Sequence, residues 1–197
     1  MSKLQKLLTF FLSLFSINSS ASALGEVIPP KAANGSCMVL SLKNGDVYIK
    51  LRDDLAPNHV ARITELTQQG FYNGVVFHRV IAGFMAQTGD PTGTGSGGSG
   101  KNLKAEFSKE RHLRGTVSMA RAASPDSADS QFFIVFSPAP YLDGQYTIFG
   151  QVLKGMEYVD MIKKGNPANN GAVSAPQDKI LSAKIISGAD CVHHMAQ

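Results

Sequence analysis

Arg79 and Gln87 are the residues whose types and spacing first indicate chemistry. They lie within residues 77–90, a run that also carries Phe84 and Met85 among strand-forming residues. A guanidinium is a permanently charged donor in a fixed fork, and an amide both donates and accepts hydrogen bonds. Beside an aromatic ring and a flexible thioether, these groups suit a ligand that is part apolar and part amide. The run therefore predicts a surface that binds a piece of polypeptide.

The strand geometry of this run decides which side chains share a surface. Successive side chains of a strand point to opposite faces, so the odd-numbered residues from Phe77, including Arg79 and Gln87, share one side if the pairing is unbroken. Gly83 is expected to interrupt the strand as a bulge or bend, which brings Phe84 within reach of the same surface. Taken alone, the run fits equally well a core strand with one arginine whose charged end reaches solvent.

Further blocks along the chain resolve this ambiguity. They follow in order without large gaps: residues 115–122 (GTVSMARA), 130–134 (SQFFI) and 141–150 (YLDGQYTIFG). Together with residues 77–90, these blocks resemble the cyclophilin family of peptidyl-prolyl cis–trans isomerases. The resemblance covers residues 36–188, and the spacing from Met119 to Gln131 is more similar to that of bacterial members than to that of cytosolic eukaryotic ones.

The resemblance implies one catalytic residue and a set of substrate-binding residues. Arg79 matches the family's catalytic arginine. The binding positions comprise a proline pocket, two amides that orient the substrate, and a segment that binds it through its backbone: Phe84, Met85, Phe133 and Leu142; Gln87 and Gln131; Ala120, Arg121 and Ala122. Tyr141 and Tyr146 match further binding positions, where well-known cytosolic members carry tryptophan and histidine. Because the indole N–H is missing, we expect weak binding of cyclosporin-type cyclic peptides.

The implied reaction needs no nucleophile, metal or cofactor. Rotation about an X–Pro bond requires only that a twisted amide be bound better than either planar isomer. The predicted function is therefore isomerisation of X–Pro bonds in exported or unfolded proteins, with proline-containing polypeptides as partners. A non-catalytic chaperone or docking module on the same fold is the alternative. A pure binder, however, would have no need of the cation of Arg79.

The elements that must position these residues are mainly short strands. Asn44 and Gly45 mark a hairpin, because both tolerate positive φ. Pro57 and Gly70 bracket an amphipathic helix, and a second helix is predicted over residues 156–164. With about eight short β-rich runs, this order predicts a closed eight-stranded antiparallel β-barrel capped at its ends by two helices, which is also the family's architecture.

The N-terminus has the features of a secretory signal. Residues 1–23 contain Lys3 and Lys6, then an apolar run, then a small-residue cleavage site that ends at Ala23. The apolar run is too short to span a bilayer, so no membrane anchor is expected after cleavage. We therefore expect the protein to be exported to the periplasm, with another secretory lumen or the extracellular space less favoured.

The remaining chain is predicted to form one domain. Residues 24–35 are expected to be a flexible arm, residues 36–188 the isomerase domain and residues 189–197 a C-terminal tail. The net charge of +4 falls to +2 when the signal is removed, and no basic cluster with interleaved aromatics is present. Nucleic acid is therefore not an expected partner, and the domain is expected to be a monomer.

The two cysteines, Cys37 and Cys191, lie near opposite ends of the mature chain. The resemblance implies a barrel in which the first and last strands are antiparallel neighbours, and this would bring the two cysteines together. Export to an oxidising compartment would permit a disulfide between them. Two unrelated thiols are the alternative.

Other candidate sites lack the context that their chemistry needs. Residues 95–102 fall one residue short of a phosphate-binding P-loop, because Asn102 replaces the magnesium-binding hydroxyl residue. His193 and His194 have no third ligand to complete a metal site. His112 has no partner at a catalytic spacing, and Ser118 lacks the sharp turn that exposes a nucleophilic serine. Nucleotide hydrolysis, a metal centre and a hydrolase triad are therefore not predicted.

Overall fold

The computed structural model describes residues 35–195. Eight strands form one antiparallel sheet, in the order β3-β4-β6-β5-β7-β2-β1-β8. Their bounds are β1 Cys37–Leu42, β2 Gly45–Leu51, β3 Arg79–Ile81, β4 Met85–Thr88, β5 Thr116–Met119, β6 Phe132–Val135, β7 Ile148–Lys154 and β8 Ser182–Ile186. Three α-helices accompany the sheet: α1 Pro57–Gln68, α2 Met156–Asp160 and α3 Gly188–Met195. The predicted mainly β, eight-stranded antiparallel class is confirmed.

The sheet is curled and not fully closed. Its edge strands β3 and β8 share no regular ladder; the segments before them are joined by an isolated bridge between Val76 and Lys179 and by a few backbone hydrogen bonds around it. The sheet is therefore less completely closed than the predicted barrel. A hairpin does connect β1 and β2, which pair from Cys37 with Lys50 to Leu42 with Gly45. Its two-residue turn is Lys43-Asn44, one position earlier than predicted, because Gly45 already pairs with Leu42 as the first residue of β2.

Helix α1 forms as its sequence predicts. Pro57 lies in its first turn, where a missing N–H costs nothing, and Gly70 follows its end with φ of 73°. Val60, Ile63 and Leu66 are all buried, so the helix lays one apolar face on the sheet. The helix covers one opening of the barrel-like sheet and stabilises it through apolar burial.

The C-terminal half of the chain departs from the predicted elements. Helix α2 ends at Asp160 and not at residue 164, because the backbone N–H of Lys163 donates to the Asp178 carboxylate outside the helix (2.8 Å). Within the predicted C-terminal tail, residues 189–195 belong to a helix that was not predicted, α3. Cys191, in α3, and Cys37, at the start of β1, are joined as a disulfide. No helix of the described residues 35–195 is long and apolar enough to cross a membrane.

Strand β6 separates two apolar clusters. Phe132 and Ile134 point into the main core, together with Phe149, Tyr72 and other buried side chains. Phe133 and Val135 point to the opposite face, as alternation requires. There they join a smaller cluster: Met85, Ala139 and Leu142, with Phe84, Ala120 and Tyr146 packed against it. This second cluster carries most of the apolar residues predicted for the site.

Candidate active site

A β-hairpin places Arg79 opposite Gln87. The two residues are register partners on β3 and β4, and Arg79 Nη1 donates to Gln87 Oε1 at 3.1 Å. Gly83 lies in the connecting turn with φ of 75°, a conformation that glycine adopts without steric cost. The interruption predicted at Gly83 is thus a full reversal of the chain. It puts the cation and the amide side by side across two strands.

A second contact fixes the direction of the Arg79 guanidinium. Its Nε donates to the backbone carbonyl of Asn170 at 3.0 Å, and its Nη2 donates to Asn170 Oδ1 at 2.9 Å. Partial burial lowers the pKa of Arg79 from its usual value, against the opposing effect of Tyr146 and Tyr141. An arginine so placed still stays charged at neutral pH. Arg79 is therefore a fixed cation held entirely by neutral oxygens.

The amides extend this network across the sheet. Gln87 Nε2 donates to Gln131 Oε1 at 2.9 Å, and Gln131 Nε2 donates to the carbonyls of Gly95 and Gly97 at 3.0 and 2.8 Å. The loop that carries these glycines is organised by Asp90, whose carboxylate accepts from four backbone N–H groups. Burial raises the pKa of Asp90, but hydrogen bonds from the Thr92 hydroxyl and from these N–H groups outweigh that effect and leave the pKa below its usual value. The glycine-rich loop thus supports an amide and resembles a nucleotide site only in sequence.

Aromatic and aliphatic side chains form a hollow next to the guanidinium, called here the main hollow. Its floor is Phe133, which packs edge-on against Tyr146 with centroids 5.9 Å apart. Phe84 and Tyr141 lie 5.6 Å apart at its rim, and Tyr141 is 61% exposed. The lining is completed by other residues of the predicted set and by two further polar side chains: Arg79, Met85, Gln87, Ala120, Arg121 and Leu142, with Gln145 and Asn170.

An adjoining hollow, called here the side hollow, holds the remaining predicted residues. Ala122 and Gln131 line it together with the glycine-rich loop, and Gln87, Ala120 and Arg121 line both hollows. The structure thus brings every predicted binding residue to one continuous groove. Arg79 faces the same space as Phe84, Phe133 and Leu142, so a cation and an apolar slot are adjacent.

A buried hydrogen-bonded chain lies beneath the main hollow, and the sequence had given no sign of it. His112 Nδ1 is 3.0 Å from Asp143 Oδ1, and His112 Nε2 is 3.1 Å from Ser118 Oγ. Burial lowers the pKa of His112, while Asp143 opposes that shift. Ser118 has no exposed surface, and its hydroxyl bonds the carbonyl of Thr147. It cannot meet a substrate, so this chain of residues supports Phe133 and the Leu142 loop and is not a hydrolase triad.

Comparison with known proteins identifies the fold and the family. The family model described as cyclophilin type peptidyl-prolyl cis-trans isomerase/CLD matches residues 37–185. The chain belongs to the cyclophilin family. This cyclophilin is 53% identical over 178 residues to a protein of Brucella suis named probable peptidyl-prolyl cis-trans isomerase, a match that covers 84% of this chain and 90% of that one. It is 43% identical over 151 residues to a peptidyl-prolyl cis-trans isomerase of Synechococcus elongatus, with 77% and 97% coverage.

Solved structures agree with the sequence relatives. A cyclophilin-type isomerase of Cryptosporidium parvum superposes with a TM-score of 0.70 at 30% identity, covering 77% of this cyclophilin and 98% of that chain. The same protein has also been crystallised in the presence of the dipeptide Ala-Pro. The cyclophilin AquaCyp293 of Hirschia baltica gives a TM-score of 0.66 at 26% identity, with 76% and 73% coverage. The predicted family resemblance is confirmed.

Asn170 is a site residue that the motifs did not reveal. It has φ of 48° and is the one residue other than glycine with positive φ in the described range 35–195. Asparagine tolerates this left-handed conformation better than most residues. Its backbone oxygen and its side-chain oxygen both hold Arg79. An isolated Asn-Asn-Gly turn was the only signal in the sequence, and it indicates a turn without indicating its partner.

We predict that Asn170→Gly slows catalysis without loosening the fold. Glycine keeps the backbone conformation and the bond from Arg79 Nε, but it removes the acceptor of Nη2. The loss of one such hydrogen bond predicts a fall in kcat of about two- to tenfold, with little change in KM. Peptide-exchange kinetics by NMR measure both constants. Asn170→Asp retains an acceptor oxygen and should restore most of the rate, and a variant pair with equal rates would refute this positioning role.

Proposed function

We propose that this cyclophilin accelerates cis–trans rotation of X–Pro bonds. The single observation that carries the proposal is the position of the Arg79 guanidinium, held by Gln87 and Asn170 at the rim of an apolar hollow. The hollow is the right kind of surface for a proline ring, and the cation lies where the adjoining amide would be. No proton transfer or covalent step is required.

The site must lower the rotational barrier by a modest amount, and Arg79 and the hollow can each supply part of it. Uncatalysed rotation takes tens of seconds or more because the barrier is about 18–20 kcal/mol. Reaching milliseconds requires about four decades, or about 5–6 kcal/mol. In the twisted amide the prolyl nitrogen regains its lone pair, which can accept a hydrogen bond from Arg79. A charge-assisted hydrogen bond supplies about 1.5–3 kcal/mol of this amount.

The hollow supplies the remainder by holding the proline ring. Phe84, Met85, Phe133 and Leu142 contact the ring in this proposal, while the preceding acyl group rotates. The amides Gln87 and Gln131 orient the substrate and the arginine. Residues 120–122 present their backbone to the bound chain, since alanine at two of these positions leaves that backbone accessible. Tyr141 and Tyr146 provide the aromatic walls.

Exchange of a short Ala-Pro peptide, measured by NMR line shapes, tests the proposed function. Catalytic amounts of the protein are expected to broaden the exchanging cis and trans signals as their interconversion accelerates. Peptide binding without any acceleration would leave only the non-catalytic binder. Its clients would then be proline-containing segments held in the same groove.

We further propose that the protein acts outside the cytoplasm. Lys3, Lys6 and the small residues ending at Ala23 support this proposal, although residues 1–34 lie outside the described structure. The cysteine pair also suits an oxidising compartment. N-terminal sequencing of the protein from a periplasmic fraction should begin at Leu24. Recovery of the chain with its first 23 residues from the cytosol would contradict export.

We predict weak inhibition by cyclosporin. Tyr141 presents a hydroxyl at the rim, where well-known cytosolic members of the family present an indole N–H. Because the two side chains differ in shape, the tyrosine O–H does not place its hydrogen where the indole N–H would. An inhibition constant well above the nanomolar range is therefore expected in the peptide-exchange assay. Tyr141→Trp should tighten inhibition by about two- to tenfold, the equivalent of one hydrogen bond. Nanomolar inhibition of the natural chain would show this prediction to be wrong.

A further inference from the structure

The arginines of the groove differ from most of the other arginines in having no acidic partner. Arg52, Arg62 and Arg114 each form an ion pair, with Asp54, Glu65 and Asp160 respectively. Arg79 and Arg121, which both line the main hollow, have no carboxylate partner among the described residues 35–195. Their bonds go to neutral oxygens only. Arg111 also forms no ion pair among these residues, but it lines neither hollow, so Arg79 and Arg121 are the unpaired arginines that a bound peptide would meet.

Arg121 is held in place but not neutralised. Its guanidinium lies 4.6 Å from the centre of the Tyr146 ring, and it donates to the carbonyls of Gln145, Ala122 and Ala123. These four hydrogen bonds use four of its five N–H groups. One Nη2 hydrogen and the full positive charge remain for a ligand. Because the bonds and the stacking fix the fork, little further ordering is needed on binding.

The surroundings add no opposing charge to the main hollow. Its lining contains both guanidiniums and no aspartate or glutamate from the described part of the chain. Asp143, which follows Leu142, has its Oδ1 bound by the backbone N–H and the ring of His112. The side hollow contains one carboxylate, that of Asp129, which accepts from the Ser99 hydroxyl and the Gly100 N–H.

We infer that the groove favours proline segments that carry an acidic side chain within two residues of the proline, and that Arg121 is the residue that sets this preference. The inference rests on the proposed function, since it assumes that a proline occupies the main hollow. A carboxylate beside the ring would complete the one ion pair that Arg121 lacks. Such a pair at a partly exposed site is expected to change kcat/KM about two- to fivefold.

A peptide series tests the inference. In blocked peptides with a central Ala-Pro or Xaa-Pro bond, Glu, Gln or Lys is placed in turn at each of the two positions on either side of the proline. The readout is the ratio of kcat/KM for the Glu and Gln peptides, and then for the Lys and Gln peptides. At one or more of these positions, kcat/KM should be higher for the Glu peptide than for the Gln peptide, and lower for the Lys peptide than for the Gln peptide. The Glu preference should shrink between about 10 mM and about 1 M salt, as the Debye length falls from about 30 Å to about 3 Å.

Arg121→Gln identifies the residue responsible. The substitution removes the charge, and because a ratio is measured, any general loss of rate cancels. Loss of the Glu preference in this variant supports the inference, while its persistence overturns it. Equal values for the three peptides at every position of the natural chain also overturn it. Arg114→Gln is the matched control, since Arg114 pairs with Asp160 and lines neither hollow. Absence of catalysis on every peptide would instead refute the proposed function.

Discussion

Arg79→Ala is expected to slow X–Pro exchange by about 10- to 150-fold, the equivalent of one charge-assisted hydrogen bond worth about 1.5–3 kcal/mol. Peptide affinity should weaken only slightly, because the apolar lining of the main hollow is untouched. The physical reason is that the guanidinium meets a stronger acceptor in the twisted amide than in either planar isomer. NMR exchange rates give the catalytic effect, and a peptide titration gives the affinity.

Two further variants separate the cation from its geometry. Arg79→Lys keeps a positive charge but loses the fork that Gln87 and Asn170 hold, so its rate should lie nearer to that of the alanine variant than to the natural one. Arg114→Ala removes an exposed arginine paired with Asp160 and should leave the rate unchanged. Equal exchange rates for the natural chain and Arg79→Ala would leave binding as the only function of the groove.

The residues of the groove could be predicted because the sequence blocks that carry them resemble those of the cyclophilin family, position by position. In the structure Gln87 of β4 and Phe133 of β6 are register partners, so their side chains face one side of the sheet. The sequence was less informative about how the chain connects these residues. The run at residues 77–90 was expected to be a strand with an interruption at Gly83, whereas the chain reverses there and puts Arg79 against Gln87 across a ladder.

The missed residues act across loops, where no periodicity links the partners. Asn170 and Arg79 are 91 positions apart, and Asp143 and His112 are 31 apart. Only the packed fold brings such pairs together. Many turns contain residues with side-chain oxygens, so a turn motif in the sequence does not show which distant donor such an oxygen will accept a hydrogen bond from.

Helix α3 was missed for an energetic reason. Its eight residues are too few for a stable helix on propensity alone, since isolated helices shorter than about 12–15 residues are marginal in water. Tertiary contacts hold it instead. Lys154 Nζ donates to the carbonyl of His194 at 2.8 Å, and the rings of Tyr48 and His194 lie 5.4 Å apart. The disulfide from Cys191 to Cys37 adds a covalent tie.

Reduction of this disulfide is expected to lower the free energy of unfolding by about 4–5 kcal/mol. The two cysteines are 154 positions apart, so the bond closes nearly the whole domain into one loop. In the chain-entropy model, a loop of this length removes much of the conformational freedom of the unfolded chain. Urea unfolding with and without a reductant measures the difference. A thiol titration of the unfolded, oxidised protein should find no free thiol.

A double variant, Cys37→Ala with Cys191→Ala, provides the matched control for that loss of stability. Both sulfurs are buried, and alanine replaces them without adding a buried hydroxyl. The variant should be insensitive to reductant, and its stability should lie close to that of the reduced natural chain. Its exchange rate on an Ala-Pro peptide should be normal below the unfolding transition, because neither cysteine lines the groove. Two free thiols in the oxidised natural chain, or no change in its unfolding on reduction, would contradict the covalent link between α3 and β1.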